Sequence, residues 1–170
     1  MKEYELLQLL ENKKLVEEKI KEFEFKQIIE HKHSLEETKG HMQKAEHNLE
    51  FVKDTSSIKY SDWAITGCYY ACYHAALALI LTKGYFSKNH QATLYILIKE
   101  FYKKELTKEE IETLSLLLNY QDVLFYVESK NKREDATYST KIKFTPSEVE
   151  MLRVKAILFV SKVKTIINEQ

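Results

Sequence analysis

Glycine and proline are almost missing from this chain: of 170 residues, 3 are Gly and 1 is Pro. A β-rich domain of that length needs many tight turns, and such turns draw on Gly, Pro and Asn. Their scarcity predicts a few long helices joined by few connections. Cysteine is scarce too. The 2 cysteines, Cys68 and Cys72, lie four apart on what reads as one buried helix. That pair makes neither a disulfide framework nor a zinc site, so both are expected to be small core residues. No apolar leader opens the chain, because Lys2, Glu3 and Glu5 already carry charge. The expectation is a reducing, cytoplasmic setting.

Catalytic signatures are also missing. There is no Gly-rich phosphate loop, GxSxG elbow or HExxH. His31 and His33 are two apart and do not share a helix face, and no acidic pair completes a ligand set with them, His41 or His47. All four are expected to be solvated, with no metal and no cofactor. His74 sits among tyrosines in an apolar stretch. It reads as a hydrogen-bonded core histidine and stays a candidate functional group, because a buried imidazole can be tuned to either charge state.

Net charge is absent, with 26 basic and 26 acidic residues, so bulk electrostatics do not demand a nucleic-acid partner. The distribution is uneven. Residues 130–170 carry 9 basic against 5 acidic side chains, and 130–143 holds Lys130, Lys132, Arg133, Lys141 and Lys143. Such a patch can attract phosphate or be a solvated loop. Arg133 is one of only 2 arginines against 24 lysines. Its planar fork suits phosphate or carboxylate as an ammonium does not. Arg133 with Asp135 and Tyr138 therefore reads either as a polar site or as a loop anchored by an Arg–Asp pair.

Helical periodicity is abundant. Residues 3–30 read as one amphipathic helix. Ser34-Leu-Glu-Glu37 is a capping box opening a second helix to about residue 54. Between Asp62 and Lys83 stand twenty residues without formal charge, long enough to span a bilayer. Gly67, Thr66, His74 and three tyrosines inside it favour the central helix of a bundle over a membrane span. Along it Ala64, Cys68, Ala71, Ala75, Ala78 and Thr82 form a small-residue stripe for close helix packing. Trp63, Tyr70, His74, Leu77 and Leu81 form a bulkier face beside it. Gly84 stops this helix. Further helices are expected over about 88–104, from a second capping box at Thr107 to near Lys130, and from Thr145-Pro-Ser-Glu148 to the C-terminal end. Residues 131–144 read as an exposed loop.

Two segments carry a resemblance. Residues 69–91, YYACYHAALALILTKGYFSKNHQ, resemble the signature of HEPN domains, and KREDATYS at 132–139 is similar to that family's Arg-x-x-Ala-Asp-Tyr segment. The Phe-Thr-Pro-x-Glu start of the last helix fits as well. The resemblance covers about residues 35–168. It implies an all-α, antiparallel up-and-down bundle of about five helices over 34–170, with residues 1–33 as an added N-terminal helix. It further implies a homodimer that binds nucleotide or RNA and partners a minimal nucleotidyltransferase in a toxin–antitoxin-like pair. The candidate binding residues are Arg133, Asp135, Tyr138, Lys132, His74 and Tyr70. Ribonuclease members of the family carry Arg-x4-6-His at a cleft shared by two protomers. Here Arg133 is followed five residues on by Tyr138, and no His follows His90. Tyrosine, with a pKa near 10 against about 6.5 for His, is a poor replacement in proton transfer. The alternatives are a metal-independent ribonuclease using His74 or Tyr138, and a structural adaptor without ligand.

Overall fold

The computed structural model describes residues 1–24, 27–30, 34–56, 60–131 and 144–169. Its elements in chain order are α1 (Glu3–Glu11), α2 (Lys13–Glu24), β1 (Ile28–Glu30), α3 (Leu35–Ser56), α4 (Ser61–Leu81), β2 (Tyr85–Ser87), α5 (His90–Phe101), α6 (Lys108–Asn131) and α7 (Pro146–Asn168). The fold is all-α, as expected. Helices α3 to α7 form the bundle, α2 lies along α5, and α1 reaches α6.

The uncharged run became α4, and α4 is the axis of the bundle, packed on by α3, α5, α6 and α7. Its small stripe is closed to solvent as far as Ala78, since Ala64, Cys68, Ala71, Ala75 and Ala78 have no exposed surface, while Thr82 at its end is half-buried. Gly67 marks the tightest approach. A Cβ there would lie 2.6 Å from Cγ2 of Val52 on α3, so only glycine fits without a shift. The apolar window of α4 is 83% buried inside the protein, which accounts for its hydropathy through burial by neighbouring helices. Both cysteines are free and buried, and burial pushes the Cys68 thiol up to about 12 and that of Cys72 well above its ordinary value. Neither is a nucleophile.

Caps set the helix ends. The Ser34 hydroxyl accepts the Glu37 N–H at 3.2 Å. At α7 the Thr145 hydroxyl accepts the Glu148 N–H at 3.2 Å, while the Glu148 carboxylate accepts the Thr145 N–H at 2.7 Å, the reciprocal box read from the sequence. Gly84 adopts φ 77°, the left-handed conformation that ends the α4 turn. Helix α5 starts at His90 and not at Lys88, because the Asn89 side chain accepts the Ala92 N–H at 3.0 Å and caps it.

Two expectations for the first thirty residues are corrected. The single helix over 3–30 is broken at Asn12, which is extended (φ −124°, ψ 92°) and whose Oδ1 accepts the Leu15 N–H at 3.1 Å to start α2. Apolar spacing hid the break, since Leu6, Leu9, Leu10, Val16 and Ile20 are buried on both sides of it. In addition, β1 pairs antiparallel with β2, Ile28 opposite Ser87 and Glu30 opposite Tyr85. Three-residue strands carry too little alternation to be read from periodicity.

Candidate functional site

The residues that carry chemistry gather on one side of α4, where α3 and α5 flank it. Helix spacing puts Tyr70 and His74 on one face and Tyr69 and Tyr73 on the adjoining one. His41 arrives from α3, and its Nδ1 lies 2.9 Å from Nδ1 of His74. The ring centroids are 5.2 Å apart. His90, at the start of α5, meets Tyr73 at 4.5 Å between centroids and hydrogen-bonds the Tyr69 hydroxyl through Nδ1. Tyr69 stacks on Tyr73 at 5.8 Å and touches Tyr70 at 4.8 Å. Imidazole and phenol rings thus run unbroken from α3 across α4 to α5.

Electrostatics fix the charge state of the histidine pair. Burial, then Lys44, holds His41 below its ordinary value against the pull of Glu37. Burial, then His41 and Lys44, pushes His74 down to about 4. Both rings are therefore neutral at pH 7, and a 2.9 Å contact between like nitrogens requires one Nδ1–H donor and one Nδ1 acceptor. The donor ring then keeps a lone pair on Nε2 while the acceptor ring keeps a proton there. One pair presents a base and an acid together, though its basicity is low. Burial also raises the Tyr73 phenol, which stays protonated.

Solvent reaches this face at Tyr70 (40% exposed) and at Trp63 (61% exposed), one helical heptad earlier. An open aromatic ring on a rigid helix is a stacking surface for a base. His74 is half-buried and hydrogen-bonded, as expected of it. His41 is the correction: it is half-buried against His74 and is not a solvated side chain. His47 is exposed as expected. Arg133, Asp135, Tyr138 and Lys132 lie outside the described residues, as do His31 and His33. Among the described residues no group of three or more His, Cys, Asp or Glu could hold a metal ion. His41, Tyr73 and His90 were not chosen from the sequence. The signal for His90 was present in Lys88-Asn-His90, inside the quoted signature; His41 gave none, because its partner is 33 residues away.

Residues 38–165 match the HEPN domain family. The chain belongs to that family. Two proteins of Methanocaldococcus jannaschii are similar to it, each bearing the name "putative toxin". The first is 31% identical over 124 residues, 72% of this chain and 76% of that protein. The second is 31% identical over 143 residues, 79% of this chain and 91% of that protein. The HEPN span takes in every residue of the ring cluster, whereas α1, α2 and β1 lie before it.

Proposed function

We propose that this HEPN protein is toxin-like and binds RNA, with Tyr70 on the open face of α4 stacking a base and Arg133 holding phosphate. The observation that carries the reading is Tyr70, 40% exposed beside a half-buried neutral histidine pair, inside the segment that resembles the family signature. Family membership and the two archaeal relatives named as toxins support it. In this reading the protein works as a homodimer beside a nucleotidyltransferase partner. An apolar row on the outer side of α7 supports self-association: Met151 (44%), Val154 (43%) and Leu158 (63%) are exposed at helical spacing.

The test is titration of a short labelled RNA into wild type, Tyr70→Ala and Arg133→Lys at low and physiological salt. Losing one stacked base costs about 1–3 kcal/mol, so Tyr70→Ala weakens binding roughly tenfold or more. Arg133→Lys weakens it although charge is kept, because the bidentate fork is lost. Equal affinities for all three proteins would refute the reading.

The histidine pair favours one second reading, RNA cleavage without metal. Transfer of a ribose 2′-hydroxyl proton to one Nε2 and protonation of the leaving 5′-oxygen by the other is chemistry this pair offers. Cleavage by wild type that His41→Ala and His74→Ala abolish without loss of RNA affinity would establish it. Cleavage unaffected by both would exclude it.

A further inference from the structure

A second concave site lies away from α4, where α1 and α2 meet the C-terminal end of α5. Lys13, Lys99, Lys103 and Lys104 line it beside a single carboxylate, Glu11, in a volume of about 260 Å³. In a chain whose charges cancel overall, four lysines lining one small hollow outnumber the carboxylates beside them, Glu11 in the lining and Glu100 paired with Lys99. Leu9, Leu10 and Ile98 also line the hollow and are themselves almost fully buried, which gives it an apolar base.

The ammonium groups are only partly satisfied. Lys99 donates to the Tyr85 hydroxyl at 3.1 Å and pairs with Glu100 at 3.4 Å. Lys104 donates to the Glu100 carbonyl at 2.8 Å, and Lys103 lies 5.3 Å from the centre of the Tyr102 ring. Each ammonium has three N–H donors, so most stay available. Among the described residues no ion pair joins Lys13, Lys103 or Lys104 to a carboxylate. The backbone is specialised as well. Lys103 has φ 61°, a conformation that costs a non-glycine residue about 1–2 kcal/mol. The turn is held there by the Lys103 N–H on the Leu106 carbonyl at 3.0 Å and by the N–H groups of Lys104, Glu105 and Leu106 on the Phe101 carbonyl. The two lysines therefore leave a fixed turn.

We propose that this hollow binds a polyphosphate group, two or more linked phosphoryl units, carried by a nucleoside polyphosphate or by a triphosphorylated RNA 5′ end. With Lys99 already paired to Glu100, a carboxylate or a single phosphoryl group would still leave Lys13, Lys103 and Lys104 short of counter-charge, whereas a chain of phosphoryl groups engages several at once. The apolar base lowers the local dielectric and strengthens each contact. The occupant would clamp α1 and α2 onto α5, joining the elements before the matched span to the HEPN bundle itself. None of these residues belongs to the α4 face, so this site stands or falls apart from the function proposed above.

Calorimetric titration of the full chain tests it, with inorganic triphosphate, ATP, and one short RNA bearing either a 5′-triphosphate or a 5′-hydroxyl. Triphosphate is expected to bind saturably. Lys13→Glu and the double change Lys103→Glu with Lys104→Glu should weaken it roughly tenfold or more. Lys155→Glu on α7, the same charge change at a distance, should leave it unaltered, as should Tyr70→Ala. Circular dichroism checks that the variants are folded, and triphosphate should raise the melting temperature of wild type more than that of the lysine variants at the same concentration. ATP binding more tightly than triphosphate would assign the nucleotide as source; the 5′-triphosphorylated RNA binding more tightly would assign the RNA end. Absence of saturable triphosphate binding, or equal weakening by Lys155→Glu, overturns the proposal.

Discussion

Two glycines sit inside helices, and the same substitution at each should have opposite signs. Gly40 lies in α3 with nothing within 4 Å of where a Cβ would stand, whereas at Gly67 in α4 that Cβ would be 2.6 Å from Val52 Cγ2 and 3.1 Å from Phe51 Cδ1. Replacing a helical glycine by alanine gains about 1 kcal/mol from the restricted unfolded backbone. At Gly40 nothing opposes the gain. At Gly67 the added methyl meets a valine that is fully buried and stiff at χ1, so α3 and α4 must move apart. Overpacking of this kind costs about 1–3 kcal/mol, which outweighs the propensity gain over most of its range. For a chain of this size 1 kcal/mol moves the melting temperature by about 2–4 °C. Gly40→Ala should therefore melt a few degrees above wild type and Gly67→Ala below it, by calorimetry under identical conditions. A Gly67→Ala protein as stabilised as Gly40→Ala would show that α3 and α4 are not in contact at Val52.

Ala75→Leu, on the fully buried stripe of α4, should lower stability by about 1–3 kcal/mol in denaturant titration, and an unchanged midpoint would mean the stripe faces solvent. Thr145→Ala removes the hydroxyl that accepts the Glu148 N–H and should cost about 1 kcal/mol, read as a lower melting temperature. For His74, with a folded-state value of about 4 against 6.5 when unfolded, the unfolded chain binds more protons between those limits. The stability held by the neutral ring is thus complete above about pH 6.5 and falls as pH drops toward 4. His74→Gln should flatten that part of the pH–stability curve; identical curves would place His74 in water. Light scattering should give a dimer mass, lost on Leu158→Glu; a monomeric wild type would remove the case for self-association.

The bundle is legible because α3, α4, α6 and α7 each carry a signal on one element: a capping box at Ser34, Thr107 and Thr145, and in α4 an uncharged run with Gly84 after it. What was not legible depends on pairs distant in the chain. Asn12 ends α1 by hydrogen-bonding forward to Leu15, while the apolar spacing continues past it unchanged. His41 looked like one more polar residue on an amphipathic helix, and only the packing of α3 on α4 brings it to His74. Tyr70 and His74 lie in a segment that resembles a family signature, and their spacing alone predicts a shared side. The apolar surroundings of Cys68 and Cys72 predict core positions, and both are buried.

The short pairing of β1 with β2 bears on the order in which the molecule comes apart. Three residues before the α3–α4 hairpin are hydrogen-bonded to three residues after it, so the pair closes a ring around the whole hairpin. Closing so long a ring carries an entropic penalty that a few hydrogen bonds barely offset, and this contact should form only once α3 has docked on α4. It should also be the first to open. Amide protons of Tyr85–Ser87 would then exchange through a local event while those of α4 wait for global unfolding. In that event α1 and α2 lose one of their tethers to the bundle, giving the molecule a latch that can release without melting the core.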